Sequence, residues 1–394
     1  LQISCRCRRV SRTTQHRRVR MALAGGGPGA FIGPVHRMAA ELDGVIELVA
    51  GAFSRDPEKS RAAGEAWGVA ADRVYDDWPT MIATEAARPD GAEMVAIVTP
   101  NHLHLAIARA ALEAGLHVIS DKPMTATLSE AEELRRISDR SGGLFGLTYT
   151  YTGYPMVREA REIVRRGDLG RLRKVVVEYS QGWLAEPIER AGDSKQAGWR
   201  TNPEEAGLGG CIADIGVHAF NVAEFVSGAR VAQVSAQLSR IVPGRMLDDD
   251  CNVLLRFSGG APGVLIASQV AAGDRNGLRL RVYGERGGLD WSHEQADRLT
   301  LNLLDQPVQV RHAGAPYLSA ASLKATRLPT GHPEGFIEAF ANIYRDFAAA
   351  IALGARTAEG VPDALEGLRG MAFVERAIAS SQNDGAWMSL EDFR

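Results

Sequence analysis

Three consecutive glycines, Gly25-Gly26-Gly27, stand between an apolar run at 19–24 and a helix-like stretch at 34–42. A strand that ends in a glycine turn and feeds a helix opens a βαβ unit, which commits the succeeding strands to a parallel sheet. The rest of the first 150 residues agrees with that start. A strand-like run at 46–53 is followed by the helix-start signal Ser54-Arg55-Asp56-Pro57. The buried-type strand 94–98 ends at Thr99-Pro100, and residues 104–114 have helical spacing that stops at Gly115. A strand at 117–120 ends in Asp121-Lys122-Pro123. Ser129, with Glu132 three residues on, reads as the capping box of the next helix, and 144–148 is a further strand. The pattern predicts an α/β N-terminal domain over 19–150: a Rossmann, doubly wound parallel sheet with helices on both faces.

The pattern changes after residue 150. One helix, 155–166, is followed by strand-like runs at 172–180, 231–241, 251–257, 263–270 and 278–283, joined by hairpin-like connections such as Ser258-Gly259-Gly260. Helical runs return at 333–353 and 363–379. This predicts a C-terminal α+β domain over 151–394 with a large, mostly antiparallel sheet. Its last helices are expected to pack back on the Rossmann domain.

Composition excludes several functions. At 394 residues with 45% hydrophobic and 24% charged residues, the chain can build large cores without disulfides or metals. No apolar run is long enough to cross a bilayer, so no membrane association is expected. A formal net charge of −3 leaves no nucleic-acid footprint. The charge is uneven: residues 1–20 hold seven arginines and no acid, and the remainder carries 38 basic and 48 acidic residues, a net of −10. No apolar stretch follows Arg8-Arg9 or Arg17-Arg18, which excludes an export signal. Residues 1–18 are expected to be a disordered basic tail, or a start read too far upstream of Met21; an organellar transit peptide is the alternative such a composition allows. Cys5, Cys7, Cys211 and Cys251 form neither a disulfide framework nor a C-x-x-C motif, so a reducing cytoplasm is the expected location.

The chemistry-bearing residues fall at strand ends and on one helix. Gly25, Gly27 and Gly33 are spaced G-x-G-x5-G, three residues longer than the G-x-G-x-x-G fingerprint, so they read either as a phosphate cradle or as a plain tight connection. At the end of the second strand, where an acid usually meets the NAD ribose, stand Ser54 and Arg55. A hydroxyl and a guanidinium suit a 2′-phosphate, which leans the reading toward NADP; the alternative makes Ser54 a helix cap. Lys122 at a strand end can stabilise a developing negative oxygen, or belong to a solvated turn. Asp214 and His218 share a helix face if 209–218 is helical, where the acid would raise the imidazole pKa and hold its tautomer. An ordinary helix-face pair, half a metal site and a satisfied core histidine remain open alternatives, and with no third ligand evident no metal is expected. The acidic run Asp248-Asp249-Asp250 reads as a solvated turn before a strand. Trp183 and Trp199 offer either walls for a sugar or packing at the domain interface.

Taken in order, these stretches resemble the Gfo/Idh/MocA family of nicotinamide-dependent oxidoreductases, from about residue 19 to the C-terminus. Residues 25–36 look like its glycine loop and following helix, and Val98-Thr99-Pro100-Asn101 like its nicotinamide-side loop. Asp121-Lys122-Pro123 looks like its Glu-Lys-Pro signature. Gly198-Trp199-Arg200, Gly209-Gly210 and Asp214-Ile215-Gly216-Val217-His218 look like its second signature. The resemblance implies that Lys122 contacts the reacting hydroxyl, that His218 takes its proton, and that Asp214 orients the substrate or the imidazole while hydride passes to nicotinamide. It implies NAD or NADP held by Gly25, Gly27, Phe31, Ile32, Ser54, Arg55, Thr99, Pro100, Asn101, His104, Asp121, Lys122, Trp199 and Arg200. It further implies a sugar, sugar-derivative or cyclic-polyol substrate and a homodimer or homotetramer. Three departures stand out: the insertion Pro28-Gly29-Ala30, Asp121 for Glu, and Ser54-Arg55 for the usual acid. A glycoside-cleaving enzyme working by transient oxidation and elimination, and a non-catalytic nucleotide or sugar sensor, are the competing functions.

Overall fold

The computed structural model describes residues 17–190 and 194–393. The expected tail therefore lies outside the described residues, with Cys5 and Cys7, except at its end, where Arg17 pairs with Glu93. The first half runs β1 (Val19–Gly25), α1 (Ile32–Glu41), β2 (Ile46–Ala52), α2 (Pro57–Ala66), α3 (Trp78–Ala87), β3 (Met94–Val98), α4 (His104–Glu113), β4 (His117–Ser120), α5 (Leu128–Arg140) and β5 (Phe145–Leu147). Its five strands pair in the order β2-β1-β3-β4-β5, all parallel, as a doubly wound sheet requires. The strand order reverses beside β1, and that switch point is where such sheets bind ligands.

The second half runs α6 (Pro155–Arg165), β6 (Leu172–Ser180), α7 (Lys195–Arg200), α8 (Pro203–Ala206), α9 (Val217–Ser227), β7 (Val231–Ser239), β8 (Asp250–Phe257), β9 (Pro262–Ser268), β10 (Gly277–Gly284), β11 (Gly287–Ser292), β12 (Arg298–Leu303), β13 (Gln309–His312), α10 (Ala320–Lys324), α11 (Phe336–Ala352), α12 (Ala364–Gln382) and β14 (Met388–Ser389). Nine strands form one sheet, β13-β12-β11-β10-β6-β9-β8-β7-β14, in which only β6 and β9 run parallel. One face is apolar: Val175 and Val177, Leu278 and Leu280, and Val253 and Leu255 alternate inward under α6, α9 and α12. Among the described residues no helix is long and apolar enough to cross a membrane.

The chain then returns to its start. Phe340, Tyr344 and Phe347 of α11 are buried against Val35 and Ala39 of α1 and Leu23 of β1. Each such aromatic contributes about 2–3 kcal/mol of burial. Helix α12 packs on α5 and β5 of the Rossmann half as well as on α9 and β7. There Arg369 donates from Nε to Glu224 Oε2 (2.9 Å) and from Nη2 to Oε1 (2.6 Å), fixing α9 from the buried side.

Several local readings change. The cap of α5 is Thr127, which accepts from Glu130 N at 3.3 Å while Glu130 Oε2 accepts from Thr127 N at 3.1 Å. The sequence offers the box in two registers; the earlier one starts the helix at Leu128, which joins the buried stripe of Ala131, Leu134 and Ile137. Asp56 rather than Ser54 caps α2, accepting from Glu58 N and Lys59 N. The strands β11–β13 and helix α3 were not anticipated. Alternating Leu289 and Trp291, then Leu299 and Leu301, carried the strand signal, and Asp77-Trp78-Pro79 the helix start.

Candidate active site

Lys122 leaves the C-terminal end of β4, with the Lys122–Pro123 peptide cis. Asp214 comes from the other half, on a π-helical segment, Ile212–Gly216, that widens the chain just before α9. Such insertions recur where a helix must aim a functional side chain. Asp248 holds its entry: Oδ1 accepts from Gly210 N and Oδ2 from Ile212 N, both at 2.7 Å. Asp249 is buried as well, accepting from Ile241 N (2.6 Å) and Arg245 Nη1 (3.1 Å). The acidic run is thus structural rather than a solvated turn, and burial pushes the Asp248 carboxyl up to about 6.

The Asp214 carboxylate is fully engaged. Lys122 Nζ donates to Oδ1 at 2.7 Å and to the Asp214 carbonyl at 2.8 Å. Arg200 Nε and Gln269 Nε2 donate to Oδ2 at 3.1 and 2.8 Å. Burial works against the charge, but the Lys122 and Arg200 cations overcome it and hold the carboxyl well below the usual carboxylate range. Asp214 makes no hydrogen bond to His218, so it does not set the imidazole tautomer as an i, i+4 pair would. The widened turn lets its side chain serve the lysine instead.

His218 opens α9 beside this pair. Its ring stands edge-on to Tyr149 and Tyr151, with centroids 5.7 and 5.1 Å away. Nδ1 is enclosed and has no partner among the described residues, while the residue as a whole keeps 8% exposure. Burial and then the Lys122 charge lower its pKa well below 6.5, against the opposing pull of Asp214. The ring is therefore neutral at pH 7 and free to accept a proton. Behind it Tyr151 and Tyr179 share a hydroxyl contact, and Asn276 binds both, donating to the Tyr151 hydroxyl at 3.2 Å and accepting from that of Tyr179 at 2.7 Å. Sequence reasoning missed Gln269, Tyr149, Tyr151, Tyr179 and Asn276. Tyr149-Thr150-Tyr151 carried a signal, since it follows β5 at the ligand-binding edge of the sheet.

The glycine cradle fits a dinucleotide. A Cβ on Gly25, whose φ is +91°, would fall 2.9 Å from the Thr99 methyl, and one on Gly27 would fall 2.6 Å from Phe53 O. Gly33 abuts Gly26 backbone to backbone. Ala30 N donates to Gly27 O at 3.0 Å, so Pro28-Gly29-Ala30 closes on itself and the helix keeps its place against the loop. Helix α1 starts with no side-chain cap, leaving first-turn N–H groups for an anion. Gly27 N donates to Phe53 O at 2.9 Å, which sets Ser54 and Arg55 beside this cradle. Arg55 is exposed and has no partner among the described residues, while Ser54 Oγ accepts from Asp56 N at 3.1 Å.

The other positions divide. Phe31 is 64% exposed at the start of α1, and Ile32 packs partly into the core. Thr99 Oγ1 is enclosed with no partner among the described residues, Pro100 is exposed, and Asn101 Nδ2 donates to Ala206 O at 3.3 Å. His104 lies behind the loop rather than in the cleft, with its ring nitrogens 2.9 Å from Thr99 O and Pro123 O. Asp121 Oδ1 accepts from Lys122 N (2.8 Å) and Thr148 Oγ1 (3.1 Å), so this carboxylate first holds its own loop. The Arg200 guanidinium lies over Trp199 at 4.2 Å, and Trp183 Nε1 donates to Gln181 Oε1 at 3.0 Å.

Residues 19–149 match the family model of the oxidoreductase family with an NAD-binding Rossmann fold, and residues 157–290 match the GFO/IDH/MocA C-terminal domain. An uncharacterized oxidoreductase, YfiI, of Bacillus subtilis is 33% identical over 95% of this chain and 97% of its own. The chain belongs to the GFO/IDH/MocA oxidoreductase family. Among solved structures, an inositol dehydrogenase homolog from Azotobacter vinelandii complexed with NAD+ superposes with a TM-score of 0.91 at 38% identity, covering 95% of this chain and 97% of that one. An inositol dehydrogenase homolog from Azotobacter vinelandii complexed with NADH and myo-inositol gives 0.86 at 36% identity, covering 95% and 98%. As a GFO/IDH/MocA oxidoreductase the chain is an NAD(P)-dependent enzyme with its Rossmann sheet and mostly antiparallel sheet in the family order.

Proposed function

We propose that this oxidoreductase oxidises a secondary hydroxyl of a neutral sugar or cyclic polyol, using Lys122 and His218. The observation that carries the reading is the convergence of a lysine pinned on Asp214 with a neutral, enclosed imidazole at the edge of a glycine cradle. The myo-inositol bound to the Azotobacter homolog supports the substrate class. Bound in that cradle by Gly25, Gly27, the start of α1, Arg55 and the Thr99 loop, NAD(P) supplies the two-electron acceptor. His218 takes the hydroxyl proton, which its lowered pKa leaves it free to do at neutral pH. Lys122, held by both the carboxylate and the carbonyl of Asp214, presents its ammonium to the oxygen as negative charge grows there. Asp214 positions the lysine. The outer face of the nine-stranded sheet, where Leu254 is exposed, is assigned to a homodimer or homotetramer contact.

The test is a panel of inositols, sugars and glycosides with NAD and with NADP, read by the absorbance of reduced nicotinamide with analysis of every product. Accumulating reduced cofactor with a neutral polyol or sugar is the expected result. A glycoside cleaved with no net reduction would replace this reading with oxidation and elimination; binding without turnover would replace it with a sensor.

Arg55 makes a separate prediction. Arg55→Ala is expected to weaken NADP binding about 10-fold or more, the loss of a charge-assisted bond to the 2′-phosphate, and to change NAD binding little. Fluorescence titration of both cofactors measures it, and equal losses would remove Arg55 from the ribose site.

A further inference from the structure

Helix α1 starts on the glycine loop and carries His36 one turn after Gly33. His36 is fully buried, edge-on to Phe340 of α11 with the ring centroids 4.7 Å apart. Its Nδ1 lies 2.6 Å from the hydroxyl of Tyr344, also on α11. Its Nε2 is enclosed, has no hydrogen-bond partner among the described residues, and lies 4.0 Å from Asp121 Oδ1. Burial outweighs the pull of that carboxylate and lowers the ring pKa to about 4, so the imidazole is neutral at pH 7 and holds one N–H. Its two neighbours decide which nitrogen has it. A carboxylate only accepts, so a bare lone pair on Nε2 would face like charge. Burial keeps the Tyr344 phenol protonated, and Nδ1 is the acceptor its proton finds. The proton of the ring therefore sits on Nε2, and Tyr344 donates to Nδ1 while Nε2–H faces Asp121.

We propose that His36 is a positioning residue for Lys122: its Nε2–H holds the Asp121 carboxylate from the core side, and through Asp121 it sets the lysine loop against the helix that follows the glycine cradle. The inference rests on the dehydrogenase reading above, in which Lys122 serves the reacting oxygen. A separation of 4.0 Å is too long for a hydrogen bond, but at a fully buried site it leaves a strong attraction between the N–H dipole and the charge. An enclosed N–H facing nothing would be a desolvation cost without return, which sets this ring apart from a histidine that only fills the core. The same Asp121 oxygen accepts from Lys122 N at 2.8 Å and from Thr148 Oγ1 at 3.1 Å, so a pull on the carboxylate is a pull on the lysine backbone. The ring thereby joins α1, the end of β4 and α11, which come from both halves of the chain. It also gives Asp121, the departure from the Glu-Lys-Pro signature, a task on its own loop.

The first measurement needs no substrate. Nitrogen-15 NMR of the histidine side chains in the full chain, with His36 assigned by its loss in a His36 variant, is expected to show a protonated Nε2 and a bare Nδ1 at pH 7. A proton on Nδ1 overturns the proposal. The second measurement compares two amides, since the glutamine nitrogen falls near the place of Nε2 and the asparagine nitrogen near that of Nδ1. With a polyol or sugar the enzyme oxidises, His36→Gln is expected to keep kcat within about 3-fold. His36→Asn is expected to lose about 10- to 30-fold in kcat, with KM and cofactor titration nearly unchanged. Equal losses, or the reverse order, would make the ring a packing residue and overturn the proposal. A proton on Nδ1 in an active enzyme sinks this inference alone. If the wild type oxidises no neutral polyol or sugar, the dehydrogenase reading fails whatever the nitrogen shifts, and the positioning role falls with it.

Discussion

Lys122→Ala is expected to lower kcat by about 10²- to 10³-fold, the cost of removing one donor aimed at a developing oxyanion. Two features make the loss specific to turnover. The ammonium is held at two points by Asp214, so its position is set before substrate arrives. The remaining partners of Asp214, Arg200 and Gln269, stay in place when the lysine is gone, so the carboxylate is not left buried alone. Cofactor binding should therefore survive, because the glycine cradle and Arg55 lie on β1, α1 and the end of β2 rather than on the lysine loop. Stopped-flow turnover beside cofactor titration separates the two quantities. Near-normal kcat in a variant that binds cofactor would mean the lysine serves only to fix Asp214. The substitution also removes a cation that disfavours imidazolium, so the His218 pKa should rise, which the ring proton signals in NMR can follow.

The alternation of strands and helices was legible because three of the five Rossmann strands run into turn-forming residues: Gly25, Thr99-Pro100 and Asp121-Lys122-Pro123. Lys122, Asp214 and His218 stood out through the resemblance of their stretches to the family's two signatures, since spacing alone left a solvated turn and an ordinary helix-face pair open. What they do to one another did not. An α-helical reading of 209–218 puts Asp214 on the histidine, whereas the π turn gives it to Lys122, Arg200 and Gln269, which come from three separate stretches of chain. The acidic run at 248–250 misled for the same reason. Its charge looks solvated in one dimension, but Asp248 finds backbone N–H donors at Gly210 and Ile212 beside the π segment, and Asp249 finds them at Ile241 and Val242 after β7, only once the chain is folded. His104 shows the limit of motif reading, since its place in a cofactor-loop signature does not reveal that both ring nitrogens meet backbone carbonyls. Gln269 had no sequence signal at all, being one polar residue at the end of a strand.

His218→Asn should cost about 10²- to 10⁴-fold in kcat, the usual contribution of a general base, while asparagine preserves polarity and approximate volume. The pH dependence then distinguishes a base from a mere wall of the site. An imidazole acts as base only when neutral, and here burial and the Lys122 charge favour the neutral form. Lowering the pKa of a base moves its protonation to more acidic pH, so wild-type kcat/KM should hold as pH falls through 6.5 and decline only well below it. An ordinary exposed histidine would lose half its competence near 6.5. In His218→Asn that acid limb should vanish, and residual activity should climb with pH as hydroxide takes the proton instead. An acid limb unchanged in the variant would assign the titration to another group and leave His218 as a neighbour of the reaction rather than its base.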